Sequence, residues 1–143
     1  MNLTDTPDLN HMLAPSGPLV RDILAAMPNA LAIYAFGSRI EGQAHAQSDL
    51  DLAVLVAGYA DPVQLWTLAG DLAAKIHCDV DLLDMRAAST VMQHQILMTG
   101  RRLWARQPDA DLFECFVLSE KTALDEARAG LLADIRERGK IYD

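Results

Sequence analysis

Two aspartates open an apolar run, DLDLAVLVA (49–57), that otherwise has the composition of a buried strand. In a strand, side chains two apart point to one face. Asp49 and Asp51 therefore project together, roughly 6.6 Å apart along the backbone at about 3.3 Å per residue. Leu50, Leu52 and Val54 take the other face, which predicts a core-facing side. Two carboxylates side by side on a half-buried strand repel each other and lose hydration. Folding alone does not recommend that arrangement. A divalent cation resolves it, because hard oxygen ligands are what magnesium takes. The plainer alternative is a solvated strand edge.

Ahead of the pair, ALAIYAF (30–36) reads as a buried strand and runs straight into Gly37-Ser38. Glycine permits a tight turn and close approach of a ligand to the backbone. A short helix starting near Ser38 would turn its first amide groups outward, where they attract phosphate. The Ser38 hydroxyl adds a donor, and Gly42 helps the chain turn toward the second strand. A third acid is needed for chemistry, and DVDLLD offers Asp79, Asp81 and Asp84. Asp79 and Asp81 share a face and Asp84 takes the opposite one, so periodicity alone does not choose between the first two. Asp81, between Val80 and Leu82, is the harder to explain as surface decoration.

The rest of the chain reads as one mixed α/β domain. PLVRDILAAM is helical, with Ser16 a candidate N-cap, and Pro28-Asn29 ends it. Pro62 suits the first turn of a helix running to about Ile76. HCDVDLLDM (77–85) alternates as a third strand, AASTVMQHQILMT is helical and stops at Gly100, and RRLW predicts a short fourth strand. Asp109 to about Arg138 predicts one long charged helix, or two broken near Gly130. Residues 1–15, polar and carrying two prolines, predict a flexible arm before a single domain over 16–143.

The chain has 143 residues and a formal net charge of -8. That balance argues against gripping long nucleic acid, which needs clustered Lys and Arg. It leaves room for one nucleotide, whose charge a metal neutralises, and for a basic partner. Cys78 and Cys115 show no pairing motif and predict two reduced, packed thiols. The N-terminus has neither a basic start nor a long apolar stretch, so no signal peptide or membrane span is expected, and the cytoplasm is the default location.

Gly37-Ser38, ten residues, then Asp49-x-Asp51, and later a strand carrying Asp81, together resemble the nucleotidyltransferase superfamily of DNA polymerase β. The short length matches its minimal branch. GSRIEGQAHAQSDLDLAVLV, DVDLLDMRAASTV and GRRLW are similar to the MntA-type antitoxins that pair with HEPN toxins. The resemblance covers roughly residues 30–105. It implies an α+β fold with a small mixed sheet flanked by helices. It also implies magnesium-dependent transfer of AMP from ATP to a tyrosine hydroxyl of a partner HEPN toxin, which is thereby silenced. On that resemblance Gly37 and Ser38 hold the triphosphate, with Arg39 a further candidate nucleotide contact. Asp49, Asp51 and Asp81 are the catalytic acids and would ligate magnesium, two ions being expected, with Asp81 also helping to deprotonate the acceptor.

Other residues have plainer readings. Arg39 either reaches a triphosphate or pairs with Glu41 or solvent. Arg101 and Arg102 follow a helix C-terminus, where cations suit the dipole; phosphate contact is the second reading. His11, His45, His77 and His94 lack zinc-ligand spacing. Phe113, Val117, Leu124, Leu131 and Ile135 fall at near-heptad spacing, which predicts packing on the parent domain or, failing that, on a partner helix. Two rival functions stay open at this level: an antitoxin that masks its toxin without catalysis, and nucleotidyl transfer to a small molecule such as an aminoglycoside.

Overall fold

The computed structural model describes residues 9–42 and 49–142. Its elements are α1 (Leu9–Met12), α2 (Pro18–Ala26), β1 (Ala30–Phe36), β2 (Leu50–Val56), α3 (Pro62–Ile76), β3 (Val80–Asp84), α4 (Thr90–Thr99), β4 (Arg101–Ala105) and α5 (Asp109–Tyr142). The four strands form one sheet in the order β3-β2-β1-β4. β1 pairs antiparallel with both β2 and β4, and β2 pairs parallel with β3. The sheet is mixed and flanked by helices, as expected.

Both faces of the sheet are covered, which explains why β1 and β2 are apolar almost throughout. On one face Ile33, Ala35, Leu50, Leu52 and Val54 pack against Leu19 and Ile23 of α2 and Leu65, Leu68, Leu72 and Ile76 of α3. On the other, Ala32, Tyr34, Ala53 and Leu55 pack against Ile96 of α4 and Ala110, Phe113 and Val117 of α5. The expected core-facing side of β2 is therefore one of two. Asp51 lies on the second face, where the apolar cover stops.

Local chemistry sets the element ends. α3 starts at Asp61, whose side chain accepts from Val63 N at 3.0 Å, with Pro62 in the first turn. It ends at His77, in the left-handed region at φ 58°. That cap costs the third strand its expected first residues, so β3 begins at Val80 rather than at 77. α2 is capped by Gly17 without a side-chain bond, not by Ser16. Gly100 follows α4 with extended backbone. Glycine is needed there because a Cβ would meet Ile96 O at 2.5 Å and Ala35 O at 2.7 Å.

Three further expectations need correction. Of the expected arm, residues 1–8 lie outside the described residues, while Met12 and Leu13 are buried in the α2/α3 core. Cys115 is exposed on α5, whereas Cys78 is partly buried and donates from Sγ to Asp79 O at 3.3 Å. α5 is one helix, unbroken at Gly130, and its apolar series divides. Phe113 and Val117 pack on the domain, but Leu131 and Ile135 are 60% and 53% exposed. Charged neighbours and i,i+4 ion pairs such as Lys121–Asp125 and Asp134–Arg138 support the bare segment. Among the described residues, no helix is long and apolar enough to cross a membrane.

Candidate active site

The strand register brings the predicted residues together. Phe36, the last residue of β1, pairs with Asp51, and Asp51 pairs with Asp81 across the parallel β2–β3 ladder. Gly37 therefore follows directly beside Asp51, and Asp81 flanks Asp51 on the other side. Asp49 stands exposed just before β2, two residues from Asp51. The four positions form a row at one end of the sheet.

Gly37 has φ +83°, a conformation that L side chains avoid. Ile40 N and Glu41 N both donate to Gly37 O, at 3.1 and 3.0 Å. The expected short helix at Ser38 is thus a single hydrogen-bonded turn over 38–42. Ile40 anchors it by packing against the α2/α3 core. Ser38 and Arg39 sit on this turn, half-buried. Gly42 is also in the left-handed region, at φ +77°. His45 lies outside the described residues.

Asp51 is half-buried. Burial pushes its carboxyl above the ordinary carboxylate range, and the negative charges of Asp81 and Asp49 push it further. Among the described residues, no three His, Cys, Asp or Glu side chains close around a single point. The donor chemistry nonetheless fits magnesium: three carboxylates at one end of the sheet, Asp51 and Asp81 as register partners and Asp49 two residues away, with repulsion that a shared hard cation relieves.

The two other acids of β3 and its lead-in are accounted for separately. Asp84 is a loop staple: Oδ2 accepts from Ala60 N at 2.9 Å and Oδ1 from Arg86 N at 3.0 Å. Asp79 binds through its backbone, its carbonyl accepting from Leu50 N at 2.9 Å. It also lines a cleft of about 640 Å³ between α3 and β3, with Asp49, Asp81, Asp71, Gly70 and Trp66. Trp66 escaped the sequence reading. Its signal was present, since it falls off the buried 65/68/72/76 stripe of α3. Arg102 is committed elsewhere, bonding Asp111 at 2.9 Å and Glu114 at 3.1 Å.

Comparison with known proteins places the chain among nucleotidyltransferases. The family model described as polymerase beta, nucleotidyltransferase, matches residues 20–109. Protein adenylyltransferase MntA of Shewanella oneidensis is 39% identical over 117 residues, covering 82% of this chain and 82% of that protein. The crystal structure of a toxin–antitoxin with AMP-PNP superposes with a TM-score of 0.72 at 37% identity, covering 82% of this chain and 94% of that one. A tri-AMPylated Shewanella oneidensis HEPN toxin in complex with MNT antitoxin gives 0.66 at 34% identity, over 82% and 92%.

Proposed function

The chain belongs to the polymerase beta nucleotidyltransferase family, and we propose that it transfers AMP from ATP to a tyrosine hydroxyl of a HEPN-family partner toxin, acting as its antitoxin. The supporting observation is the row Gly37, Asp51, Asp81, with Asp49 beside it: a left-handed glycine turn next to three crowded carboxylates. The relatives supply the substrate class: one bears the name protein adenylyltransferase, one structure carries AMP-PNP, and one shows an AMPylated HEPN toxin.

In this reading the 37–42 turn and Ser38 hold the triphosphate, with Arg39 beside them. Asp49, Asp51 and Asp81 hold magnesium, which when bound neutralises phosphate charge and stabilises the attacking and leaving oxygens. The protein's own work is positioning and exclusion of water. Partial burial of Asp51 removes some of its water, which strengthens its charge interactions. Asp81, on the outer strand, accepts the proton of the incoming hydroxyl. The domain is a cytoplasmic antitoxin in this reading, and its packed part extends from α1 into α5.

The test is to incubate the protein with ATP, magnesium and the HEPN toxin and weigh the toxin. Addition of AMP units that vanishes with Asp49→Ala supports the reading. No adduct, or one that survives the substitution, overturns it. The exposed apolar residues of α5 favour a second reading, neutralisation by masking. That reading predicts that Asp49→Ala/Asp51→Ala still protects cells expressing the toxin.

A further inference from the structure

Arg101 and Arg102 are neighbours in sequence but part company in the fold. Arg102 pairs with Tyr34 across the β1–β4 ladder and takes the α4/α5 face, where it bonds Asp111 and Glu114. Arg101 pairs with Ala35, which belongs to the α2/α3 core, so its side chain leaves on that face. It is exposed, and it makes no hydrogen bond or ion pair among the described residues.

This guanidinium lies beside the turn that follows β1. Ala35 is two residues before Gly37, and β4 is the strand next to β1. At about 3.3 Å per residue and about 4.8 Å between strands, the Arg101 backbone is roughly 8 Å from Gly37. An extended arginine side chain covers most of that distance. Gly100 lies against the residues that precede the turn, since a Cβ there would meet Ala35 O at 2.7 Å and Phe36 Cβ at 3.2 Å. The 38–42 turn is on the same face as Arg101, because Ile40 packs against the same α2/α3 core. The order across this end of the sheet is therefore Asp81, Asp51, the Gly37 turn, Arg101. Acids flank the turn on one side and a cation flanks it on the other.

Two roles compete for that cation. α4 ends at Thr99, and its last carbonyls carry a partial negative charge that Arg101 offsets. Those same carbonyls disfavour phosphate nearby, so a triphosphate on the turn needs positive charge on this side. We propose that Arg101 is a further nucleotide-binding residue, whose guanidinium takes the β- and γ-phosphates of a nucleoside triphosphate seated on the Gly37-Ser38 turn. The inference rests on the adenylyl-transfer reading. The planar fork of arginine matches two phosphate oxygens at once. In the step itself the tyrosine oxygen bonds to the α-phosphorus while the bond from that phosphorus to the bridging oxygen breaks. Pyrophosphate leaves with the electron pair, and the tyrosine proton goes to Asp81. Arg101 meets the charge that gathers on the leaving pyrophosphate.

The experiment is calorimetric titration of AMP-PNP, pyrophosphate and AMP into the full chain with magnesium and no toxin, followed by AMPylation of the HEPN toxin. Arg101→Ala raises Kd for AMP-PNP and for pyrophosphate about tenfold. It leaves Kd for AMP within about twofold and Tm unchanged. In turnover, KM for ATP rises likewise and KM for the toxin stays within about twofold. Arg136→Ala, on the exposed end of α5, removes the same charge and moves none of these values. An AMP-PNP Kd unchanged in Arg101→Ala, with AMPylation by the unsubstituted chain intact, overturns the assignment and leaves the transfer reading standing. A lower Tm with unchanged Kd assigns Arg101 to the end of α4 and also overturns it. Equal weakening of AMP and AMP-PNP overturns it too, because the contact is then not with the outer phosphates. Failure of the unsubstituted chain to bind AMP-PNP defeats both readings. Should Arg101→Ala fail to fold, Arg101→Lys decides, because it keeps the charge at the helix end and loses the fork. Its Kd for AMP-PNP rises several-fold, or the proposal falls.

Discussion

Gly37 and Asp51 are fitted to each other: a Cβ on Gly37 would run into Asp51 Oδ2, and the Gly37 backbone is left-handed at φ +83°. The turn proposed for phosphate and the acid proposed for metal therefore share one packing constraint. Gly58 has nearly the same backbone, φ +84°, with nothing within 4 Å of its Cβ position. The left-handed conformation costs a non-glycine residue about 1–2 kcal/mol. Gly58→Ala is expected to lose about that much and keep full activity. Gly37→Ala is expected to lose more and to lose transfer, because Asp51 must move. Urea denaturation and AMPylation of both variants check it.

Asp51 gives a pH dependence of stability with a definite sign. Its carboxyl in the fold sits above its ordinary value of 3.8, through burial first and then Asp81 and Asp49. The stability it contributes is full below that ordinary value and is lost as pH rises through the raised one. In EDTA, Asp51→Asn is expected to melt with the wild type in acid and above it near neutral pH, by about 2–4 °C. The same variant loses transfer by roughly 10²–10³-fold or more. Melting curves across pH, paired with activity, test the trade.

Magnesium is expected to reverse that penalty. A ligand at a hundred times its Kd stabilises by about 2.7 kcal/mol. Titrating magnesium into metal-free protein at neutral pH is expected to raise Tm of the wild type and leave Asp49→Asn/Asp51→Asn unmoved. Equal shifts in both would place the ion elsewhere.

Tyr34 lies under the second core and donates to Glu114 Oε1 at 3.0 Å, while Arg102 bonds Oε2 at 3.1 Å. Burial, and then Glu114, hold its phenol far above the ordinary tyrosine range, so it stays a donor across the working pH range. Tyr34→Phe is expected to cost about 1–2 kcal/mol by denaturation. Transfer is expected to stay within about twofold, because the network joins β1 and β4 to α5 and does not reach Asp51.

The far half of α5 is expected to be dispensable for stability. Leu131, Leu132 and Ile135 are 60%, 55% and 53% exposed. Ending the chain after Ala127 should change unfolding free energy by about 0.5 kcal/mol or less. A larger loss would mean that this segment packs on the domain.

What the sequence by itself determined was local. The two-residue period of 49–57 put Asp51 on one face of a strand and Leu50, Leu52 and Val54 on the other, although the strand itself starts at Leu50 and leaves Asp49 just ahead of it. Gly37-Ser38 marked the turn, and Pro62 and Gly100 marked helix ends. Periodicity left Asp79 and Asp81 equivalent, because it relates residues only within a strand. The β2–β3 register separates them, setting Asp81 beside Asp51. The second buried face of the sheet, the bare end of α5 and the cleft under Trp66 also waited for the tertiary structure. Each depends on which distant elements pack together, and burial and strand order are set by contacts across the whole chain, not by spacing along it.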